Sequence, residues 1–155
     1  MTTQLPQITQ TIEIEASQQQ VWRCLTEPSK VSQWLGCLRY RKEIGHIFYM
    51  QPDENKRGEL DIEGATHCRI LALNEPREFS FSWYMPGTPE TTVRILLKPH
   101  DSDCVVALEH SGWEQFEPDM IREIRDGLEE GWKSFVLPAL KKTVETRKIR
   151  SHKQE

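Results

Sequence analysis

The 155-residue sequence predicts an α+β domain: a curved antiparallel β-sheet covered by one long C-terminal α-helix, with two short helices after the first strand. Three observations lead there. From about Leu38 to His110, apolar and polar side chains alternate between turn-forming segments, which is the period of half-buried strands. A long amphipathic stretch follows from Pro118. Between the first strand and the alternating region lie two segments with helical spacing, each too short to stand without a larger partner.

The elements follow in order. Ile8, Gln10, Ile12 and Ile14 share one face of a first strand, opposite Thr9, Thr11, Glu13 and Glu15. Ser17 and Gln20 fit a capping box, so a helix is expected from Gln18 to Thr26 with Val21, Trp22 and Leu25 inward. Pro28 ends that helix and suits the first turn of the next. There Val31, Trp34 and Leu35 are the buried side, and Gly36 supplies a left-handed exit.

Gln51 to Gly58 reads as an exposed loop, and Glu59, Asp61 and Glu63 as the solvated face of a strand. Phe79, Phe81 and Trp83 alternate with Ser80, Ser82 and Tyr84, and Pro86-Gly87-Thr88-Pro89 then breaks the run into a hairpin. Val93, Ile95 and Leu97 repeat the alternation, Pro99 to Ser102 turns the chain, and Val106 and Leu108 face inward on the next strand. Sequential strands with short turns imply a meander.

Pro118 opens the last helix, and 100° per residue places Ile121, Ile124, Leu128, Trp132, Phe135 and Ala139 in one stripe. Arg122, Glu123, Asp126, Glu130 and Lys133 fall opposite. Extended to about Glu145, the helix is on the order of 40 Å long, enough to cross a sheet. Pro138 lacks an amide donor and crowds the preceding turn, so a kink is expected between Ser134 and Pro138. The domain is expected over residues 8–145, with an N-terminal tail over 1–7 and a disordered basic tail over 146–155.

Charge and cysteine use restrict the function. The net charge of −4 divides into an acidic body of about −8 over residues 1–140 and a tail of about +4 that includes Arg147, Lys148, Arg150 and Lys153. An acidic body argues against nucleic-acid binding, which depends on clustered Lys and Arg. The tail is expected to be solvated. Cys24, Cys37, Cys68 and Cys104 lack CxxC spacing and read as free thiols. With no signal-peptide pattern and no apolar run of membrane-spanning length, the chain is expected to be cytoplasmic and not inserted in a membrane.

His46, His67, His100, His110 and His152 show no metal-ligand spacing, so no metal or cofactor is expected. Glu109-His110-Ser111 has the letters of a hydrolytic triad, but adjacent residues cannot make its contacts. No catalytic residue is assigned.

Strand, two short helices, meander and long terminal helix is the order of the helix-grip fold, and particular residues add to it. Ile14-Glu15-Ala16-Ser17, Val21-Trp22, Leu25-Thr26, Pro28 and Trp34-Leu35 resemble the opening of proteins similar to the C-terminal domain of the activator of heat-shock protein ninety ATPase. Asn74 to Trp83, then Leu108-Glu109-His110-Ser111-Gly112-Trp113, then Glu130-Gly131-Trp132, resemble the same family in the same order. The chain departs from many relatives at Gly45-His46-Ile47-Phe48, where they carry a paired glycine.

The resemblance implies membership of the START-like (SRPBCC) superfamily and a hydrophobic cavity between sheet and helix. Trp34, Leu35, Phe81, Trp83, Trp113, Phe116, Met120, Ile124, Leu128 and Trp132 are expected to face that cavity. Large apolar walls with few polar groups suit a small hydrophobic or aromatic ligand, including a lipid, and so a carrier or sensor. The resemblance also implies two alternatives. One is a co-chaperone-like interaction module whose partner is a chaperone. The other is a cyclase or dehydratase using Tyr84, His67 or Arg69 inside the cavity.

Overall fold

A computed structural model describes residues 5–153, with side chains described through Thr146. The elements are β1 (Ile8–Ile14), α1 (Gln18–Thr26), α2 (Pro28–Leu35), β2 (Cys37–Leu38), β3 (Ile47–Met50), α3 (Glu54–Gly58), β4 (Thr66–Asn74), β5 (Glu78–Trp83), β6 (Thr91–His100), β7 (Asp103–Ser111), α4 (Pro118–Gly131) and α5 (Leu137–Lys153). A 3-10 turn, Trp113–Gln115, precedes α4, and a π turn, Trp132–Val136, joins α4 to α5. The seven strands form one antiparallel sheet in the order β1-β7-β6-β5-β4-β3-β2. This curled sheet, gripped by the long helix, is the α+β helix-grip arrangement expected from the sequence.

Local chemistry sets the entry to the core. Ser17 and Gln20 form the expected capping box at the start of α1, each bonding the other's backbone amide. Pro28 occupies the first turn of α2, and Gly36 ends it at φ 66°, a conformation that only glycine adopts without strain. These two helices place Trp22, Leu25, Val31 and Trp34 against the inner sheet face, where Phe48, Phe79, Phe81, Val93, Ile95 and Leu108 are all fully buried. Leu5, the first described residue, also packs on this core.

The π turn falls where Pro138 was expected to disturb the helix. Pro138 has no N–H to give, and the chain adapts by widening the preceding turn, with the Leu137 amide reaching back to the Trp132 carbonyl. The buried stripe differs from the one expected on both sides of this turn. Before the turn it is Ile121, Arg125, Leu128 and Trp132; after it, Leu137, Leu140 and Val144. Met120 and Phe135 are 79% and 72% exposed, and Ile124 is 49% exposed. A uniform 100° step cannot anticipate a widened turn, and it also disfavours a charged residue such as Arg125 on the inner face.

Two further expectations change. The loop Gln51 to Gly58 contains α3, capped by Asp53 Oδ1, which accepts from the amides of Asn55 and Lys56. Residues 59–63 form turns and irregular chain, not a strand, because the buried Gln51 amide donates to the carbonyls of Asp61 and Glu63 and holds the chain in a bend. The backbone is helical to Lys153, while the side chains of the expected basic tail beyond Thr146 lie outside the described residues. Among the described residues no helix is long and apolar enough to cross a membrane. Ser17→Ala, which removes the cap of α1, is expected to lower stability by about 1 kcal/mol in urea denaturation without changing the fold.

Candidate ligand-binding site

The centre of the sheet–helix interface is a histidine. On β7 the inward positions run Cys104, Val106, Leu108 and His110, and all four are completely buried. His110 Nδ1 lies 3.2 Å from Trp132 Nε1 on the helix, and His110 Nε2 lies 2.8 Å from Thr91 Oγ1 on β6. An indole N–H can only donate, so Nδ1 accepts and the imidazole proton sits on Nε2. Nε2–H then donates to Thr91 Oγ1, whose own hydrogen goes to the Trp83 carbonyl at 2.6 Å. The chain of donors runs without a gap from helix to imidazole to hydroxyl to sheet backbone.

Three indoles surround the imidazole, with ring centroids at 4.6 Å for Trp113, 5.7 Å for Trp83 and 6.0 Å for Trp132. Trp113 Nε1 also donates to the His110 carbonyl at 3.0 Å. Burial among these rings, with the Arg125 guanidinium adding like charge, pushes the His110 pKa down from 6.5 to about 3. Arg125 is itself buried. Its Nε donates to the Pro6 carbonyl at 3.0 Å and its Nη1 pairs with Asp126 and Glu129, tying the chain before β1 to α4.

Beside this cluster the fold leaves an apolar pocket of about 70 Å³. The β5–β6 hairpin supplies Trp83, Tyr84, Met85, Thr88, Pro89 and Thr91; the helix entry supplies Phe116, Ile121 and Ile124. Small-molecule pockets run to about 300–1,000 Å³, so this one in its present form takes only part of a ligand.

Of the ten residues expected to line a cavity, Trp83, Phe116 and Ile124 border this pocket. Trp113 and Trp132 stand next to it around His110. Trp34, Leu35 and Phe81 are core residues: Trp34 Nε1 is bonded to the Cys24 carbonyl, and Phe81 packs edge-on to Phe48. Leu128 is partly buried against the core. Met120 points to solvent, for the reason given by the phase of the stripe.

His110, Thr91 and Ile121 are not among the ten residues expected to line the cavity, although Ile121 is on the helix stripe expected to be buried. The continued alternation Val106, Leu108, His110 is the signal that would have found the histidine. Tyr84, His67 and Arg69 do not form an interior polar set. His67 and Arg69 alternate with the buried Cys68 and Ile70, and His67 packs between Tyr49 and Tyr84 on the outer face. Arg69 pairs with Glu90 at 3.7 Å.

The four cysteines are buried and form no disulfide, and burial pushes the Cys37 thiol up to about 12 and raises Cys68 as well. These are neutral, unreactive thiols. No group of three His, Cys, Asp or Glu side chains comes together as a metal site among the described residues.

Comparison with known proteins agrees with this geometry. The model of the family described as Activator of Hsp90 ATPase homolog 1-like protein matches residues 15–145. The chain belongs to that family. Solved structures share the fold: MLL2253 from Mesorhizobium loti has a TM-score of 0.70 at 23% identity, covering 89% of this chain and 97% of that one. CalU16 from Micromonospora echinospora has a TM-score of 0.65 at 20% identity, covering 93% and 79%. The Aha1 dimer structure from Colwellia psychrerythraea has a TM-score of 0.60 at 15% identity, covering 91% and 97%. No curated protein matches the sequence. At such identities the likeness concerns the fold.

Two outcomes are expected of this domain. Trp132→Ala removes a fully packed ring and the donor to His110, and is expected to cost about 3–5 kcal/mol in chemical denaturation. Above pH 6.5 His110 is neutral in both folded and unfolded chains and contributes no pH dependence. Between pH 6.5 and about 3 only the unfolded chain takes up the proton, so stability falls as the pH falls, by up to about 1.4 kcal/mol per pH unit. A denaturation series across that range should show this slope, and His110→Gln should remove most of it.

Proposed function

We propose that the protein binds a hydrophobic or aromatic small molecule without transforming it, as a carrier or sensor, and that the apolar end of the ligand enters between the β5–β6 hairpin and the start of α4. The observation that carries this reading is the lining of the pocket: carbon surfaces of Trp83, Met85, Phe116, Ile121 and Ile124, with the Thr91 hydroxyl already committed to His110 and to the Trp83 carbonyl. An apolar group entering there leaves no polar group unpaired.

The volume of about 70 Å³ is about half that of an engineered cavity that holds benzene. A larger guest needs the rim to move. The rim is suited to that, since Pro86 to Pro89 form an exposed turn and Ile124 is half exposed. A catalytic reading is less well supported. The imidazole beside the pocket uses both nitrogens in the folded state and is held neutral far below its usual pKa, so it presents no free base to a substrate.

Titration with toluene and with octanoic acid, followed by tryptophan fluorescence and native mass spectrometry, is expected to give saturable one-to-one binding. Ile124→Glu, at a half-exposed rim position that the fold tolerates, is expected to weaken it at least tenfold. Absence of saturation with either probe up to its solubility limit contradicts the proposal. Capture of a chaperone by a protein that binds neither probe would favour the interaction-module reading suggested by the family instead.

A further inference from the structure

β1 is one edge of the sheet, and the orientation of its backbone can be derived twice. The β6–β7 hairpin closes over Asp101 and Ser102, so His100 and Asp103 flank a two-residue loop and form a hydrogen-bonded pair. Bonds alternate along the ladder, so Asp103, Val105, Ala107 and Glu109 face β6, while Cys104, Val106, Leu108 and His110 face β1. Their partners there are Ile14, Ile12, Gln10 and Ile8. The amides and carbonyls of Thr9, Thr11 and Glu13 therefore point away from the sheet.

Side-chain contacts give the same answer. Lys141 Nζ donates to the Glu13 carbonyl at 2.9 Å, and Glu145 Oε2 accepts from the Glu15 amide at 3.0 Å. Helix α5 thus covers the edge from Glu13 onward. Among the described residues it does not cover Thr9 and Thr11, and there a cleft of about 410 Å³ opens, lined by Thr9, Gln10, Thr11, Glu129, Glu130 and Lys133. An uncovered strand edge is a template for another strand.

The Gln10 side chain supplies an independent sign. Its Nε2 donates to the Glu129 carbonyl at 2.6 Å, but its Oε1 is buried and is the one buried side-chain polar atom without a hydrogen bond among the described residues. The amide also has a second hydrogen to give. Gln10 therefore holds an unmet acceptor and a spare donor at the middle of the open edge, a combination that is complementary to itself.

We propose that this edge pairs with a second copy of the chain, β1 against β1, antiparallel about a two-fold axis at Gln10. In that register Thr9 of one copy faces Thr11 of the other, and both exchange two main-chain bonds with their partners. Gln10 faces Gln10 across the axis on the same face of the sheet, and a shift of each side chain that uncovers its shielded Oε1 lets it accept the spare amide hydrogen of the other copy. The cleft carries charges of both signs, Glu129 and Glu130 with Lys133, as an isologous contact requires of a surface that must meet itself. The two seven-stranded sheets become continuous.

Sedimentation velocity from 1 to 200 µM tests this on the full chain, together with residue-resolved amide hydrogen exchange. The expected result is a concentration-dependent dimer in which the Thr9 and Thr11 amides become protected as the dimer fills. Thr11→Pro removes an edge amide that no β1–β7 bond uses, and should leave a folded monomer by circular dichroism. If that variant does not fold, exchange in the unmodified chain decides alone. A monomer throughout the concentration range overturns the proposal, as does a dimer whose Thr9 and Thr11 amides stay unprotected.

Discussion

A neutral imidazole buried between a helix and a sheet is the constraint on which the rest of this structure depends. Trp132 comes from the C-terminal helix, His110 from β7 and Thr91 from β6, so one side-chain chain of donors and acceptors fixes the helix above the sheet at a single depth and rotation. Each nitrogen has one role, and the arrangement is satisfied only in the neutral state with the proton on Nε2. Apolar packing by itself tolerates small slides and rotations, whereas a directional network in a low-dielectric interior does not. The π turn begins at Trp132 itself, so the residue that anchors the helix also marks where its register changes to accommodate Pro138.

That constraint also places the candidate site. With Trp113, Trp132 and Trp83 gathered around His110, the middle of the sheet–helix space is occupied by rings, and open volume remains beside the cluster at the hairpin end, next to the first turns of α4. The aromatic residues that suggest a cavity in the sequence thus divide into two groups. Trp34 and Phe81 build the core under the short helices, whereas Trp83 and Phe116 border the open pocket. That space lies on the far side of residues that hold the helix to the sheet.

Much of the fold was legible in the sequence because it follows from local rules. The capping box of Ser17 and Gln20, the proline at the first turn of α2, the glycine exit at Gly36 and the period-two alternation through Trp83 each act within a few residues. The misplaced features depend on contacts distant in sequence. Arg125 lies on the inner face because the Pro6 carbonyl and Glu129 receive it there, and Met120 is exposed because Ile121 and Arg125, one turn apart, define the buried face. Gln51 bends residues 59–63 through two carbonyl contacts that no periodicity records. The neighbours of His110 in the sequence resemble a triad, while its partners in the fold are nineteen and twenty-two residues away, beyond the reach of any local pattern.

The state of His110 itself is the most direct test of this account. Nitrogen-detected NMR of the imidazole in the native protein is predicted to show protonated Nε2, unprotonated Nδ1 and no titration between pH 8 and pH 5. An imidazole that titrates near 6.5, or one that carries its proton on Nδ1, would contradict the claim that it locks the helix to the sheet.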